Sequence, residues 1–193
     1  MAMRYIVHLL PTEEQRRAYD DARTRVAAAI GHNRALDYPT AHVTLIWAIQ
    51  DAPDDPAPID PAALIAALEA HRGSGPLPLA VSEDARTREH LLLPLHDTPA
   101  LATLRDSLLG AMRTIAAGPD GTRADRADRV RAQDWPHLTL AQEIDPARWE
   151  RATALLAGDA DWLRAPVQGT ALALVARDVD AGGVYRIVHQ VAL

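Results

Sequence analysis

Ala41-His42-Val43-Thr44-Leu45-Ile46-Trp47-Ala48 is an apolar run broken by one polar pair. Pro136-His137-Leu138-Thr139-Leu140-Ala141 repeats the pattern half a chain later in a protein of 193 residues. In a strand, successive side chains point to opposite faces. His42 and Thr44 therefore project together while Val43 and Leu45 point to the core, and His137 and Thr139 stand in the same relation to Leu138 and Leu140. A histidine beside a hydroxyl on an open strand face, present twice, suits acid–base chemistry at a phosphate. One such pair alone reads as ordinary strand surface; the repeat gives it meaning.

The elements around the motifs also repeat. A strand is expected near Arg4–Leu10, followed by a helix from Thr12 towards Ile30, with Thr12 and Gln15 spaced as a capping box. The first motif strand runs from His42 to about Ile49. A Pro/Asp stretch from Asp51 to Pro61 ends in Asp60-Pro61, an N-cap with proline at the first helical position, and leads a helix over Ala62–His71. Short strands follow near Leu77–Val81 and His90–Leu95. Thr98-Pro99 then opens a helix with Leu101, Leu104, Leu108, Met112 and Ile115 at helical spacing. A polar loop from Gly118 to Asp134 reaches the second motif strand, near Pro136–Gln142. Asp145-Pro146 caps another helix ending at Gly158, and strands near Thr170–Ala176 and Val184–Ala192 close the chain around a Gly182-Gly183 turn.

This order predicts an α+β class and a duplicated, two-lobed fold. Each lobe would be an antiparallel-rich sheet with helices on its outer face, leaving a central cleft between the lobes. No linker separates independent domains, so residues 1–193 read as a single bilobal unit with approximate halves 1–95 and 96–193.

Composition narrows the function. The net charge is −6 and every one of the 20 basic residues is arginine. An acidic body argues against sequence-blind binding of long nucleic acid, which draws most of its affinity from a basic surface. Absence of lysine and phenylalanine beside abundant Ala, Arg and Pro reads as the imprint of a GC-rich genome. With no cysteine there is no thiol nucleophile or zinc-thiolate site, and a reducing cytoplasm is the expected compartment. No apolar stretch is long enough to span a membrane. No Gly-rich phosphate loop and no tight His/Asp/Glu cluster is visible, so neither cofactor nor metal is expected.

Two His-x-Thr-Leu motifs half a chain apart, in a duplicated α+β chain of 20.9 kDa, resemble the 2H phosphoesterase superfamily. The closest look is to its 2′-5′ RNA ligase and RNA 2′,3′-cyclic phosphodiesterase branch. Leu10-Pro11-Thr12-Glu13 after the first strand, Pro136 before the second motif, and Leu172, Leu174 and Tyr185 in the closing strands extend the likeness over most of the chain. Ala41 stands where many relatives place proline, and Ile46-Trp47-Ala48 departs from the more usual small, aromatic-ending run.

The resemblance implies a metal-independent phosphoesterase, a monomer acting on a small nucleotide or RNA-end substrate. It would hydrolyse or reversibly form 2′,3′-cyclic phosphate or 2′-5′ phosphodiester bonds. His42 and His137 would be the acid–base pair, and Thr44 and Thr139 would hydrogen-bond the phosphate oxygens. Tyr185 and His8 are further candidates for substrate contact, Tyr185 by stacking or by reaching a phosphate, His8 because it alternates with Arg4 and Ile6. A non-catalytic nucleotide or RNA-end binding module with the same His/Thr clamp is the alternative. Trp47 alternates to the face of Val43 and Leu45 and is expected in the core. Arg123, Arg126, Arg129 and Arg131, interleaved with Asp125 and Asp128, are expected in a solvated loop. No role is assigned to His32, His71, His90, His96 or His189.

Overall fold

The computed structural model describes residues 2–51, 57–82, 90–158 and 160–193. In chain order the elements are β1 (Met3–Pro11), α1 (Glu13–Ile30), β2 (Val43–Gln50), α2 (Pro61–Glu69), β3 (Leu77–Leu79), β4 (Leu91–Pro94) and α3 (Pro99–Ala117). They continue with α4 (Ala124–Ala127), β5 (Arg131–Ala132), β6 (His137–Ala141), α5 (Trp149–Ala157), α6 (Ala160–Leu163), β7 (Val167–Asp178) and β8 (Arg186–Ala192). Short 3-10 turns occupy Arg34–Asp37 and Pro146–Arg148. Residues 52–56 of the expected Pro/Asp stretch lie outside the described residues.

Every strand pairing is antiparallel, in the order β3-β7-β1-β2-β6-β4, with β8 also on β7 and β5 also on β2. The class is therefore α+β, and the sheet divides into two lobes. β7, β1 and β2, with β3 and β8, form one lobe, and β6 with β4 belongs to the other. The chain's halves are interleaved: β1 lies between β2 and β7, while β4 pairs with β6. Between the lobes the ladder has one register pair, Val43 opposite Leu138.

The helices bury their apolar stripes against one face of this sheet. Tyr19, Val26 and Ile30 of α1, Leu64 and Leu68 of α2, and Leu101, Leu108 and Met112 of α3 join Val7, Leu9, Val43, Leu138 and Leu172 in one core. On the opposite face a small cluster of Ile6, Leu10, Ala173, Val175 and Tyr185 supports the open side. Strand alternation in β1 separates the two sets, Tyr5, Val7 and Leu9 to the core and Ile6 and Leu10 to the other side.

The helix starts follow the sequence signals. Thr12 Oγ1 accepts from Gln15 N, Asp60 Oδ1 from Ala62 N, and Thr98 Oγ1 from Leu101 N. Only half of the capping box forms at Thr12, because the Gln15 side chain turns away to the start of β7. Its Nε2 donates to Pro166 O at 2.8 Å and its Oε1 accepts from Gln168 N at 3.0 Å.

The stretch before the second motif leaves Arg129 and Arg131 exposed, as its charges suggest, but it is not all solvated loop. It carries α4 and β5, and Arg126 is buried, donating Nε to Ala116 O at 2.6 Å and Nη1 to Ala57 O at 3.2 Å. Buried Asp51 stands 3.8 Å from the same guanidinium and accepts from Ile59 N. Carbonyls and a carboxylate satisfy a cation that the sequence pattern assigns to water.

Candidate active site

β2 shares one edge between two partners. It meets β6 at Val43 and then β5 at Ile46 and Trp47, so the motif strands separate immediately after they touch. Two register shifts against β1 accompany the change: Val7 faces Ile46 and His8 faces Thr44, while Tyr5 faces Ile49. Each shift inserts an extra residue into β2, the signature of a β-bulge. Leu45 and Ile46 consequently both enter the core, and Ala48 takes a left-handed φ of 63°. Trp47 is thereby turned out of the core. It is 46% exposed and borders the cleft, contrary to the expectation from simple alternation.

The cleft has a volume of about 360 Å³ and its wall includes His42, Thr44, His137 and Thr139 together. The two histidines are held alike. His42 Nδ1 lies 2.8 Å from Thr40 O, and His137 Nδ1 lies 3.1 Å from Trp135 O, in each case the carbonyl two residues upstream. A carbonyl only accepts, so Nδ1 carries the proton in both rings and Nε2 is the nitrogen left for the cleft.

One helix and the segment after it hold both motifs. Asp20 of α1 accepts from Thr40 Oγ1 at 2.6 Å and from Ala41 N at 2.8 Å, fixing the approach to His42. Arg23, one turn on, donates to Asp20 at 2.6 Å and to Tyr38 O at 3.3 Å while lining the cleft. Asn33, buried just after α1, donates Nδ2 to Leu140 O at 2.9 Å and to Arg23 O at 3.2 Å. Its Oδ1 accepts from Ala35 N and Gln142 N. α1 is thus tied to the residues before His42 and to those after Thr139.

His8 lies beneath His42, with ring centroids 3.5 Å apart and planes within 5°, and only 1% of it is exposed. It is a floor under the histidine, out of reach of a ligand in the cleft. Its Nε2 is buried without a hydrogen-bond partner. Tyr185 does reach the cleft. Its ring stacks on Tyr38 at 4.6 Å, and Tyr38 in turn tilts against His42 at 4.9 Å.

Burial dominates the electrostatics. Desolvation pulls His42 down to about 3, with the Arg23 and His137 charges acting in the same direction and the Thr40 carbonyl opposing them. His8 is held well below its ordinary value by burial, then by His42 and Arg23. His137 is lowered by burial as well, against the pull of Trp135 O. Tyr38 is pushed up to about 12 by burial and by its Tyr185 neighbour. Both cleft histidines therefore favour the neutral form before an anion arrives.

Arg23, Asn33, Tyr38 and Trp47 are the contributors that sequence reasoning missed. Arg23 and Asn33 carried a signal, since a charge and an amide among α1's apolar spacing and at its end require buried partners. Among the described residues no group of three or more His, Asp or Glu side chains gathers as a metal site, and no helix is long and apolar enough to cross a membrane.

No protein-family model matches the chain, and no curated protein matches it. Solved structures do. TT0787 of Thermus thermophilus is 21% identical, with 100% of this chain and 98% of that one covered and a TM-score of 0.53. E. coli LigT complexed with 3′-AMP is 17% identical over 99% of this chain and 98% of that one, at a TM-score of 0.54. E. coli LigT complexed with ATP is 16% identical over 100% and 99%, at 0.52. The architecture described above, two lobes of antiparallel sheet with helices behind and a cleft between, is the fold of LigT and TT0787.

Proposed function

We propose that this chain is a metal-independent phosphoesterase of the 2H type, acting as one bilobal unit on the 2′,3′-cyclic phosphate of a nucleotide or RNA end, in a reducing cytoplasm. The observation that carries the reading is the matched tethering of His42 and His137, which leaves two Nε2 atoms and two threonine hydroxyls for one cleft. The nucleotides named with LigT, ATP and 3′-AMP, accord with a small-nucleotide ligand.

Hydrolysis by this set proceeds in line. His42, the more strongly desolvated and stacked on His8, is neutral and serves as base: its Nε2 takes a proton from water as the water oxygen bonds to phosphorus. The incoming phosphate charge draws a proton onto His137, and Nε2–H of that ring protonates the ribose oxygen as its bond to phosphorus breaks. Thr44 and Thr139 donate to the non-bridging oxygens, where charge develops. With a ribose 5′-hydroxyl in place of water, the same in-line attack breaks the bond from phosphorus to the 3′ oxygen, leaves a 2′-5′ linkage and needs no ATP.

The test is hydrolysis of 2′,3′-cyclic mononucleotides in EDTA, compared with His42→Ala and His137→Ala. The proposal expects turnover in chelator and its loss in both variants. Tight binding of the cyclic nucleotide with no turnover would instead identify a phosphate clamp, and a requirement for a divalent ion would recast the histidines as ligands.

A further inference from the structure

We propose that Arg4 and Arg177 form a second anion subsite at the β1-start end of the cleft, taking a phosphate one nucleoside away from the phosphate between the two histidines. The inference rests on the phosphoesterase reading and specifies its substrate class as a nucleotide bearing a second phosphate.

Arg4 borders the cleft and follows the alternation of Ile6 and His8. Arg177 of β7 is its register partner, so both side chains rise from the same face with Cβ atoms about 5 Å apart. The Arg177 guanidinium lies 5.5 Å from the centre of the Tyr185 ring, which borders the cleft and stacks on Tyr38. Arg4 Nε donates to Gln50 Oε1 at 2.8 Å, which leaves both Nη atoms for other partners. Its charge acts on the Tyr38 hydroxyl.

Two like charges directly opposite each other destabilise a sheet. Arg23, Arg72 and Arg105 meet acids, at Asp20, Glu69 and Asp97, whereas Arg113 and Arg148 are satisfied by the carbonyls of Val130 and Ile30. Among the described residues neither Arg4 nor Arg177 has a carboxylate partner, in a chain whose acids outnumber its bases. The nearby acids are otherwise engaged: Asp178 Oδ1 accepts from Asp180 N and Ala181 N, and Asp180 Oδ2 from Ala2 N. An anion relieves the repulsion and can accept from both guanidinium groups.

Spacing sets which anion. Four residues of strand put Arg4 about 14 Å from His8 at the backbone, and His8 underlies His42. The reach of the arginine side chain shortens that to the span of one nucleoside, with the Tyr38–Tyr185 pair along the way. A 5′-terminal phosphate and the internal phosphodiester of an oligonucleotide share this chemistry.

The experiment compares kcat/KM for adenosine 2′,3′-cyclic phosphate, its 5′-phosphorylated form, and a dinucleotide ending in the cyclic phosphate. The second phosphate is expected to raise kcat/KM by about tenfold or more. Arg4→Gln and Arg177→Gln are expected to bring that ratio towards one. The larger gain, with the 5′-phosphate or with the dinucleotide, tells a terminal phosphate from an internal one. Equal values for the bare and phosphorylated substrates, or a ratio that survives in Arg4→Gln, would overturn the subsite.

Calorimetry with adenosine 3′,5′-bisphosphate against 3′-AMP separates this from the catalytic reading. Tighter bisphosphate binding that Arg4→Gln abolishes supports the subsite even in a protein that turns nothing over. Equal affinities refute it even if hydrolysis is found, and binding of neither nucleotide refutes both.

Discussion

The imidazole of His8 lies flat against that of His42, 3.5 Å away and fully enclosed, so the candidate base stands on a second, hidden histidine. Two rings this close cannot both be charged imidazolium without strong repulsion, and burial already disfavours the charged form of each. His8 therefore fixes the plane of His42 by contact while adding no charge of its own.

Replacement of His8 separates contact from chemistry. His8→Ala removes the floor and is expected to lower kcat by roughly tenfold, chiefly through misorientation of His42. His8→Phe keeps a flat ring at the same height and is expected to recover most of the loss. Steady-state kinetics of the two variants at pH 7 decide it; equal damage from both would mean that the His8 nitrogens themselves matter.

Acid sensitivity follows from the same burial. His8 and His42 both have native values below 6.5, so between that pH and the native value the unfolded chain binds protons that the folded chain refuses. Stability is then full above pH 6.5 and falls as pH drops towards about 3, where His42 titrates in the native state. Urea midpoints at pH 7.5 and pH 5 are expected to show the drop, and His8→Phe to shrink it. An identical slope in that variant would mean that His8 takes up no proton on unfolding.

The two cleft histidines are expected to fail as a unit. Either alanine substitution should cost roughly 10²–10⁴ in kcat/KM, and the double variant little more than the worse single one. Thr44→Val or Thr139→Val, which keeps the shape and deletes a donor, should cost less. Multiplicative losses in the double variant would show two independent contributions rather than a shared step.

Asn33 offers a stability test away from the chemistry. Its amide meets four backbone groups, so Asn33→Ala leaves several buried donors and acceptors unsatisfied. A loss of about 2–4 kcal/mol is expected in urea unfolding. A shift below about 0.5 kcal/mol would mean that water replaces the amide at no cost.

The repeat of His42-x-Thr44 and His137-x-Thr139 made the two motif strands and their class legible, because period-2 alternation and helix caps are local signals. Thr12, Asp60 and Thr98 announced α1, α2 and α3 for the same reason. Trp47 was illegible: nothing in Ile46-Trp47-Ala48 marks a bulge, since Ala48 occupies a left-handed conformation usually left to glycine. Gln15 and Arg126 escaped because their partners, near β7 and at Ala57 and Ala116, are distant in sequence. His8 was placed on the right face of β1, yet alternation gives direction and not depth, so its burial under His42 was hidden.

Between β2 and β6 themselves the ladder has the single pair Val43–Leu138, with the lead-in to β6 held on β2 through β5, so few strand pairings set the gap between the two histidines. That gap is gauged from behind, by α1, with Asp20 gripping one motif and Asn33 the other. The working tolerance of the cleft thus resides in a helix whose own length and packing act as the spacer. Substitutions on its buried face, such as at Val26 or Ile30, would retune the distance between the histidines without touching either one.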